Sequence, residues 1–86
     1  MKIEFTDHAE DKFLILEEHN FLIDKETVIK TINEPDKTVA GRKGRLIAQK
    51  AIDEKHLLRV VYEIKNYRII IVTFYPTRRS RHEDKI

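Results

Sequence analysis

The stretch LLRVVYEIKNYRIIIVTFY, residues 57–75, decides the fold. Six of the eight residues from 67 to 74 are apolar or aromatic, which is typical of a strand buried in a sheet. Residues 57–65 predict a second strand, and a tight turn at Lys65 and Asn66 joins the two into an antiparallel hairpin. This turn pairs Glu63 with Arg68, and their opposite charges favour that register.

The predicted register divides the hairpin into an apolar face and a mixed face. The apolar face is the natural site for covering helices and carries Leu58, Val60, Tyr62, Ile64, Ile69 and Ile71. The mixed face carries Arg59, Val61, Glu63, Arg68, Ile70 and Val72. We therefore expect helices on the first face and a more open second face.

The N-terminal part of the chain predicts a short strand followed by two helices. Residues 2–5 alternate apolar and polar side chains, as a strand does. Asp7 and Glu10 fit a capping box for a first helix that runs to about residue 19, and Thr6 is the competing N-cap. The expected buried stripes are Ala9, Phe13 and Leu16 in the first helix and Val28, Ile29 and Ile32 in the second.

The second helix is expected to begin after Asp24 and to end near Glu34, because Pro35 disfavours a helical conformation in the residue before it. Residues 36–40 and 45–52 then predict short strands on either side of a turn that contains both glycines. The expected fold class is α+β, with two N-terminal helices packed on one face of a curved antiparallel sheet. Residues 1–76 would form this single domain, and residues 77–86 a basic C-terminal tail.

Charge is distributed unevenly along the 86 residues, although the net charge is only +2. Residues 1–40 contain five Lys and no Arg against ten Asp and Glu, whereas residues 41–86 contain twelve Lys and Arg against five Asp and Glu. This asymmetry fits a surface that faces a polyanion, and it equally fits acidic helices that neutralise a basic sheet. Without cysteine, a signal peptide or an apolar run long enough to cross a bilayer, the expected location is cytoplasmic, with no membrane partner.

The strongest candidate site follows the last strand. Pro76 is expected to end that strand, and four basic residues come soon after it: Arg78, Arg79, Arg81 and His82. Clustered arginine beside Tyr75 suits phosphate contact and base stacking, and Arg78, Arg79 and His82 are the candidate catalytic residues. The alternative is a solubilising tail, or a segment that binds an acidic partner.

Further nucleic-acid contacts are predicted on the sheet and its turn. Arg59 and Arg68 share one face and could clamp a phosphate, although Arg68 could instead pair with Glu63 across the strands. Arg42 and Arg45 flank the glycine turn, where they could grip a nucleic-acid backbone or remain solvated.

The histidines do not predict a metal site. His8 and His19 lie about three helical turns apart, too far to share one ion or one proton relay. His56 falls in the predicted turn DEKH and is expected to be exposed. We therefore expect no metal and no cofactor.

Four segments resemble a widespread family of small domains of unknown function: FTDHAEDKF with its His-Ala pair, LIDKETVIKTINEPD, LLRVVYEI and IIIVTFY. That family is similar to the RelE/ParE-type toxins and to BrnT, and the resemblance spans about residues 4–76. The family pattern has an Arg four residues after its His. This chain has Lys12 at that place, which keeps the charge but loses bidentate geometry.

The resemblance implies a RelE/ParE-like fold and a toxin component of a toxin–antitoxin pair. For RelE-type toxins it implies metal-independent cleavage of mRNA, often on the ribosome, with a small antitoxin protein as partner. ParE-type relatives inhibit gyrase and cleave nothing, so fold alone does not decide the function. The resemblance to RelE-type toxins makes an endoribonuclease the expected activity. The alternatives are a non-catalytic nucleic-acid- or protein-binding module on the same scaffold, and a scaffold whose ancestral activity has decayed.

Overall fold

The computed structural model describes residues 1–79, which fold into two helices and five strands. The elements are β1 (Lys2–Phe5), α1 (Asp7–Glu18), α2 (Lys25–Asn33), β2 (Lys37–Ala40), a 3-10 turn at Arg42–Gly44, β3 (Leu46–Ala51), β4 (His56–Lys65) and β5 (Arg68–Arg78). The strands form one open sheet in the order β1-β5-β4-β3-β2.

The α+β class is confirmed, but the sheet is mixed rather than fully antiparallel. β1 runs parallel to β5, with Ile3 beside Ile69 and Phe5 beside Ile71. The other neighbouring strands are antiparallel. A parallel pair needs a long crossover connection, and here both helices and three strands separate β1 from β5 along the chain.

The central hairpin turns at Asn66 and Tyr67, one residue later than predicted. Both residues have positive φ, 52° and 61°, as a type I′ turn requires. Lys65 therefore pairs with Arg68, and the predicted pairing of Glu63 with Arg68 is wrong.

The predicted assignment of residues to the two faces is nevertheless correct. Moving the turn by one residue shifts every cross-strand pair by two positions, and residues two apart lie on the same face. Val60 and Ile71 are fully buried on the side of the helices, as expected. Val61 and Ile70 lie on the other side and are half-buried. We call that second side of the sheet the open face.

A β-bulge in β5 interrupts the alternation of side chains between the two faces of the sheet. Tyr62 pairs with Ile71 but Val61 pairs with Thr73, so Val72 is an extra residue in β5. The bulge turns Phe74 inward, where its side chain is fully buried. Strict alternation from Ile71 would have placed Phe74 on the open face.

Thr6 joins the bulge to the first helix. Its backbone N–H donates to Ile71 O at 3.0 Å, and its hydroxyl donates to Val72 O at 3.1 Å. The same hydroxyl accepts from Ala9 N at 3.1 Å, which makes Thr6 the N-cap of α1. Of the two predicted caps, Thr6 is therefore the one used and Asp7 lies inside the helix.

The core lies between the helices and the inner face of the sheet. From the helices it takes Ala9, Leu16, Val28 and Ile32, and from the strands Ala48, Leu58, Val60, Tyr62, Ile71 and Phe74. Phe13 is partly buried and stacks on Phe74 at 4.7 Å between ring centroids. Thr31 rather than Ile29 completes the α2 stripe, because its hydroxyl donates to Thr27 O and so needs no solvent.

The last strand does not end at Pro76, which pairs with Leu58, but continues to Arg78. β1 covers only the first part of β5, so β5 has an unpaired edge beyond Val72, and a proline is tolerated where its nitrogen faces such an edge. Thr77 and Arg78, assigned above to the tail, are therefore part of the sheet. Arg81 and His82 lie outside the described residues.

Candidate nucleic-acid interface

The open face is basic. Cross-strand partners project on the same side of a sheet, so the pairings place these charged side chains on it: Lys2, Lys37, Arg45, Arg59, Lys65 and Arg68, with Glu4 and Glu63 as the carboxylates. The helical layer, residues 7–34, contains eight Asp and Glu against three Lys. Negative and positive charge are thus on opposite sides of the molecule.

Ion pairs form within each layer. Lys25 and Glu10 pair at 2.9 Å between the helices. On the open face, Arg45 lies 3.5 Å from Glu63, and Arg68 lies 3.0 Å from Glu4. Within residues 1–79, no arginine of the open face pairs with a carboxylate of the helices. The separation of charge is therefore not cancelled by direct contacts across the sheet.

Arg59 and Tyr75 form the central polar contact of the open face. They are direct partners across β4 and β5. Arg59 Nη1 donates to Tyr75 Oη at 3.3 Å, and the guanidinium carbon lies 5.9 Å from the centre of the Tyr75 ring. The pair presents a planar cation beside an aromatic ring, the two groups that hold a phosphate and a base.

Two guanidinium N–H groups are buried without an acceptor. Within the described part of the chain, Arg59 Nε and Arg45 Nε have no hydrogen-bond partner. The 3.5 Å contact of Arg45 Nε with Glu63 is an ion pair and lacks hydrogen-bond geometry. Buried donors are nearly always satisfied in proteins, so these two arginines are held with part of their hydrogen-bonding capacity unused.

An apolar strip separates the cations. Ile47 and Val61 are direct partners on β3 and β4, and both are half-buried. Val39 extends the strip to β2, and on β5 the partner of Val61 is Thr73. Charged side chains around half-buried apolar ones form a surface that can contact both the backbone and the bases of a single strand.

The structure brings together only part of the predicted site. Arg45, Arg59, Arg68 and Tyr75 share the open face. Arg42 is exposed in the 3-10 turn between β2 and β3, in which Lys43 has a φ of 56°. The expected Arg68–Glu63 contact is replaced by Arg68–Glu4 and Arg45–Glu63, because the hairpin turns one residue later.

Arg78 and Arg79 lie at the opposite end of the sheet from Arg42. Arg78 pairs with His56, on the side of the sheet that carries the helices. Arg79 is attached to the β3–β4 turn: its backbone N–H donates to Lys55 O at 2.9 Å, and its Nη1 donates to Asp53 O at 3.3 Å. The two arginines are therefore separated from the open-face arginines and adjoin a turn that the sequence did not single out.

The environment of His56 differs from the one predicted from the sequence. It is half-buried rather than exposed. Its Nδ1 lies 3.1 Å from Asp53 Oδ1, and its ring meets Phe21 edge-on at 4.9 Å. The backbone N–H of Lys55, followed by the contacts with His56, lowers the pKa of Asp53. An Asp three residues before a His in a tight turn was the available signal.

The other two described histidines, His8 and His19, have no ion pair with a carboxylate among the described residues. His19 Nδ1 lies 2.9 Å from Ile15 O at the end of α1, so this ring caps the helix. His8 is exposed in the first turn of α1. Within residues 1–79, no three or more His, Cys, Asp or Glu side chains are grouped so as to hold a metal ion.

None of the helices in the described part of the chain has the length and apolar character needed to span a membrane.

We compared the chain with protein-family models, with curated proteins and with solved structures, and none of the three comparisons gives a significant match.

Proposed function

We propose that the open face binds single-stranded RNA and that the protein is the RelE-like toxin component of a toxin–antitoxin pair, a metal-independent endoribonuclease acting on mRNA. The observation that carries the proposal is the separation of charge. Six cations and two carboxylates lie on the open face, and the acidic helices lie behind it. Such a surface attracts a polyanion on one side only.

The arrangement of Arg59, Tyr75 and Arg45 supports a single strand as the ligand. Phosphates would accept from the guanidinium groups of these two half-buried arginines, and bases would contact Tyr75 and the apolar strip. The two arginines lie at different positions along the strand direction. Arg59 pairs with Gln49 near the middle of β3, whereas Arg45 immediately precedes β3. One strand crossing the face would therefore contact both.

Cleavage would need no metal. The 2′-hydroxyl of RNA attacks the adjacent phosphate, and catalysis requires a base for its proton, a proton for the leaving oxygen, and cations beside the crowded phosphorus. The open face supplies cations. From the resemblance to RelE-type toxins we expect mRNA as the substrate, and the ribosome and a small antitoxin protein as partners.

The second candidate is a non-catalytic binding module on the same face. It is favoured by the chemistry of the open face itself, where, within residues 1–79, both carboxylates contact arginines and no histidine is present. Such a face holds a polyanion, or an acidic protein, without providing a general base.

Binding is tested with a fluorescent single-stranded RNA and anisotropy at several salt concentrations. Arg59→Ala should weaken binding roughly tenfold or more, because a charge-assisted hydrogen bond is worth about 1.5–3 kcal/mol. It should also lower the salt slope by about 0.7, the value for one phosphate contact on a single strand. The matched control is Lys30→Ala, which removes a cation from the exposed side of α2. Equal losses in both variants would contradict binding at the open face.

Cleavage is tested on the same RNA in the presence of EDTA, with the all-deoxy strand as control. The endoribonuclease proposal expects products from RNA alone, because DNA lacks the attacking hydroxyl. Binding of RNA at the open face without any product would favour the second candidate.

A further inference from the structure

We propose that His56, oriented by Asp53 and flanked by Arg78 and Arg79, is the general base that removes the 2′-hydroxyl proton from RNA. This inference rests on the proposed function and adds to it a catalytic centre at the end of the sheet. It replaces the earlier candidate His82, which lies outside the described residues.

Asp53 is held in place by the turn that it closes. Its Oδ1 accepts from the backbone N–H groups of Lys55 and His56, each at 2.7 Å. The same carboxylate contacts His56 Nδ1 at 3.1 and 3.2 Å. Because a carboxylate only accepts hydrogen bonds, Nδ1 carries the proton and donates to Asp53. In the neutral ring, Nε2 then has the lone pair that a general base uses.

The His56 ring is also fixed by packing. It lies between the strands and the α1–α2 loop, where Phe21 meets it at an interplanar angle of 89°. Its side chain keeps 29% exposure, so the ring is constrained and still accessible. A cleft of about 620 Å³ opens beside it, lined by Phe21 on one side and by Asp53 and His56 on the other.

Cations adjoin the same turn. Arg78 is the cross-strand partner of His56, and Arg79 is anchored to the turn through the carbonyls of Lys55 and Asp53. A second cleft of about 340 Å³ is lined by Lys55, Arg78, Arg79 and the carboxylate residue Glu54. Cations at this turn suit a phosphate whose charge grows during the reaction.

The centre lies at the end of β4 on the side of the helices, whereas Arg59 lies on the open face. His56 precedes Arg59 by three residues on β4, about 10 Å along the strand, so their side chains project on opposite sides of the sheet. An RNA strand held by Arg59 and Tyr75 would therefore bend around the end of the sheet at Thr77 to reach His56.

The proposed step balances without a metal or a redox partner. His56 Nε2 takes the proton of the 2′-hydroxyl, the 2′-oxygen forms a bond to phosphorus, and the bond from phosphorus to the 5′-oxygen breaks. The 5′-oxygen takes a proton from solvent water, and His56 later returns its proton to solvent. The products are a 2′,3′-cyclic phosphate and a 5′-hydroxyl.

The test is single-turnover cleavage of the RNA in EDTA by the full chain. His56→Gln should lower the rate by about 10²–10⁴-fold, the usual worth of a general base, while RNA affinity stays within about twofold. His8→Gln is the matched control, because His8 is exposed in the first turn of α1 and does not line this cleft, and the rate of this variant should stay near that of the wild type. Circular dichroism checks that each variant folds.

The role of Asp53 has a readout that does not depend on cleavage. The ¹⁵N shifts of the His56 ring should report a proton on Nδ1 in the wild type, and Asp53→Asn should move that proton toward Nε2. A ring already protonated on Nε2 in the wild type would overturn the assignment of His56 as base.

The outcomes of the cleavage assay separate this inference from the proposed function. A wild type that cuts RNA and a His56→Gln variant that cuts equally fast would overturn the inference alone. A wild type that binds RNA and never cuts it would overturn the endoribonuclease proposal and the inference together.

Discussion

Replacing Thr6 by valine should destabilise the fold by about 2 kcal/mol. The Thr6 hydroxyl makes two contacts of 3.1 Å, accepting from Ala9 N and donating to Val72 O. Loss of an N-cap costs about 1 kcal/mol, and loss of one further hydrogen bond costs another ~1 kcal/mol. Valine has nearly the same volume and branching as threonine, so the change removes the hydroxyl and leaves the packing intact.

Urea denaturation followed by circular dichroism measures this loss. In thermal unfolding of a domain of this size, about 2 kcal/mol corresponds to a fall of roughly 8–16 °C in Tm. Thr6→Ser keeps the hydroxyl and should stay much closer to the wild type. A Thr6→Val variant within about 0.5 kcal/mol of the wild type would refute the view that Thr6 holds α1 to the β-bulge.

Two further predictions concern the hairpin turn and the second helix. Tyr67→Gly should stabilise the protein by up to about 1 kcal/mol in urea denaturation, because Tyr67 is 86% exposed and has a φ of 61°, which glycine adopts without strain; a loss of stability would contradict the type I′ turn. The side chain of Thr27, followed by its backbone N–H, holds the pKa of Asp24 below its ordinary value. This interaction therefore adds stability above the unfolded pKa and is lost as the pH falls through the folded one. Asp24→Asn should accordingly reduce the dependence of unfolding free energy on acid pH, and an unchanged pH profile would rule out the cap.

The helices and the two faces of the sheet were predictable because they depend on local periodicity. Asp24 caps α2, and Val60 and Ile71 lie under the helices, since a period of two assigns sides even when the hairpin turn is misplaced. The predicted turn at Lys65 and Asn66 failed because no glycine marks the left-handed positions that Asn66 and Tyr67 adopt.

The parts that failed depend on contacts between distant residues. No local pattern places β1 beside β5, or inserts Val72 as a bulge that turns Phe74 inward. Pro76 signalled a strand end, but the unpaired edge that accommodates it exists only in the folded sheet. The ring of His56 is likewise packed against Phe21, which lies 35 positions earlier in the chain, so its half-buried environment could not be predicted locally.

Arginine side-chain NMR tests the central claim, RNA binding at the open face, most directly. In a ¹H–¹⁵N spectrum the Nε–H of Arg59 should move downfield when single-stranded RNA is added at low salt, because the guanidinium group gains a phosphate acceptor. Backbone amides near Val61 and Tyr75 should shift with it, while those of α1 and α2 stay in place. An unchanged Arg59 Nε–H signal at saturating RNA, or shifts confined to the helices, would contradict the account.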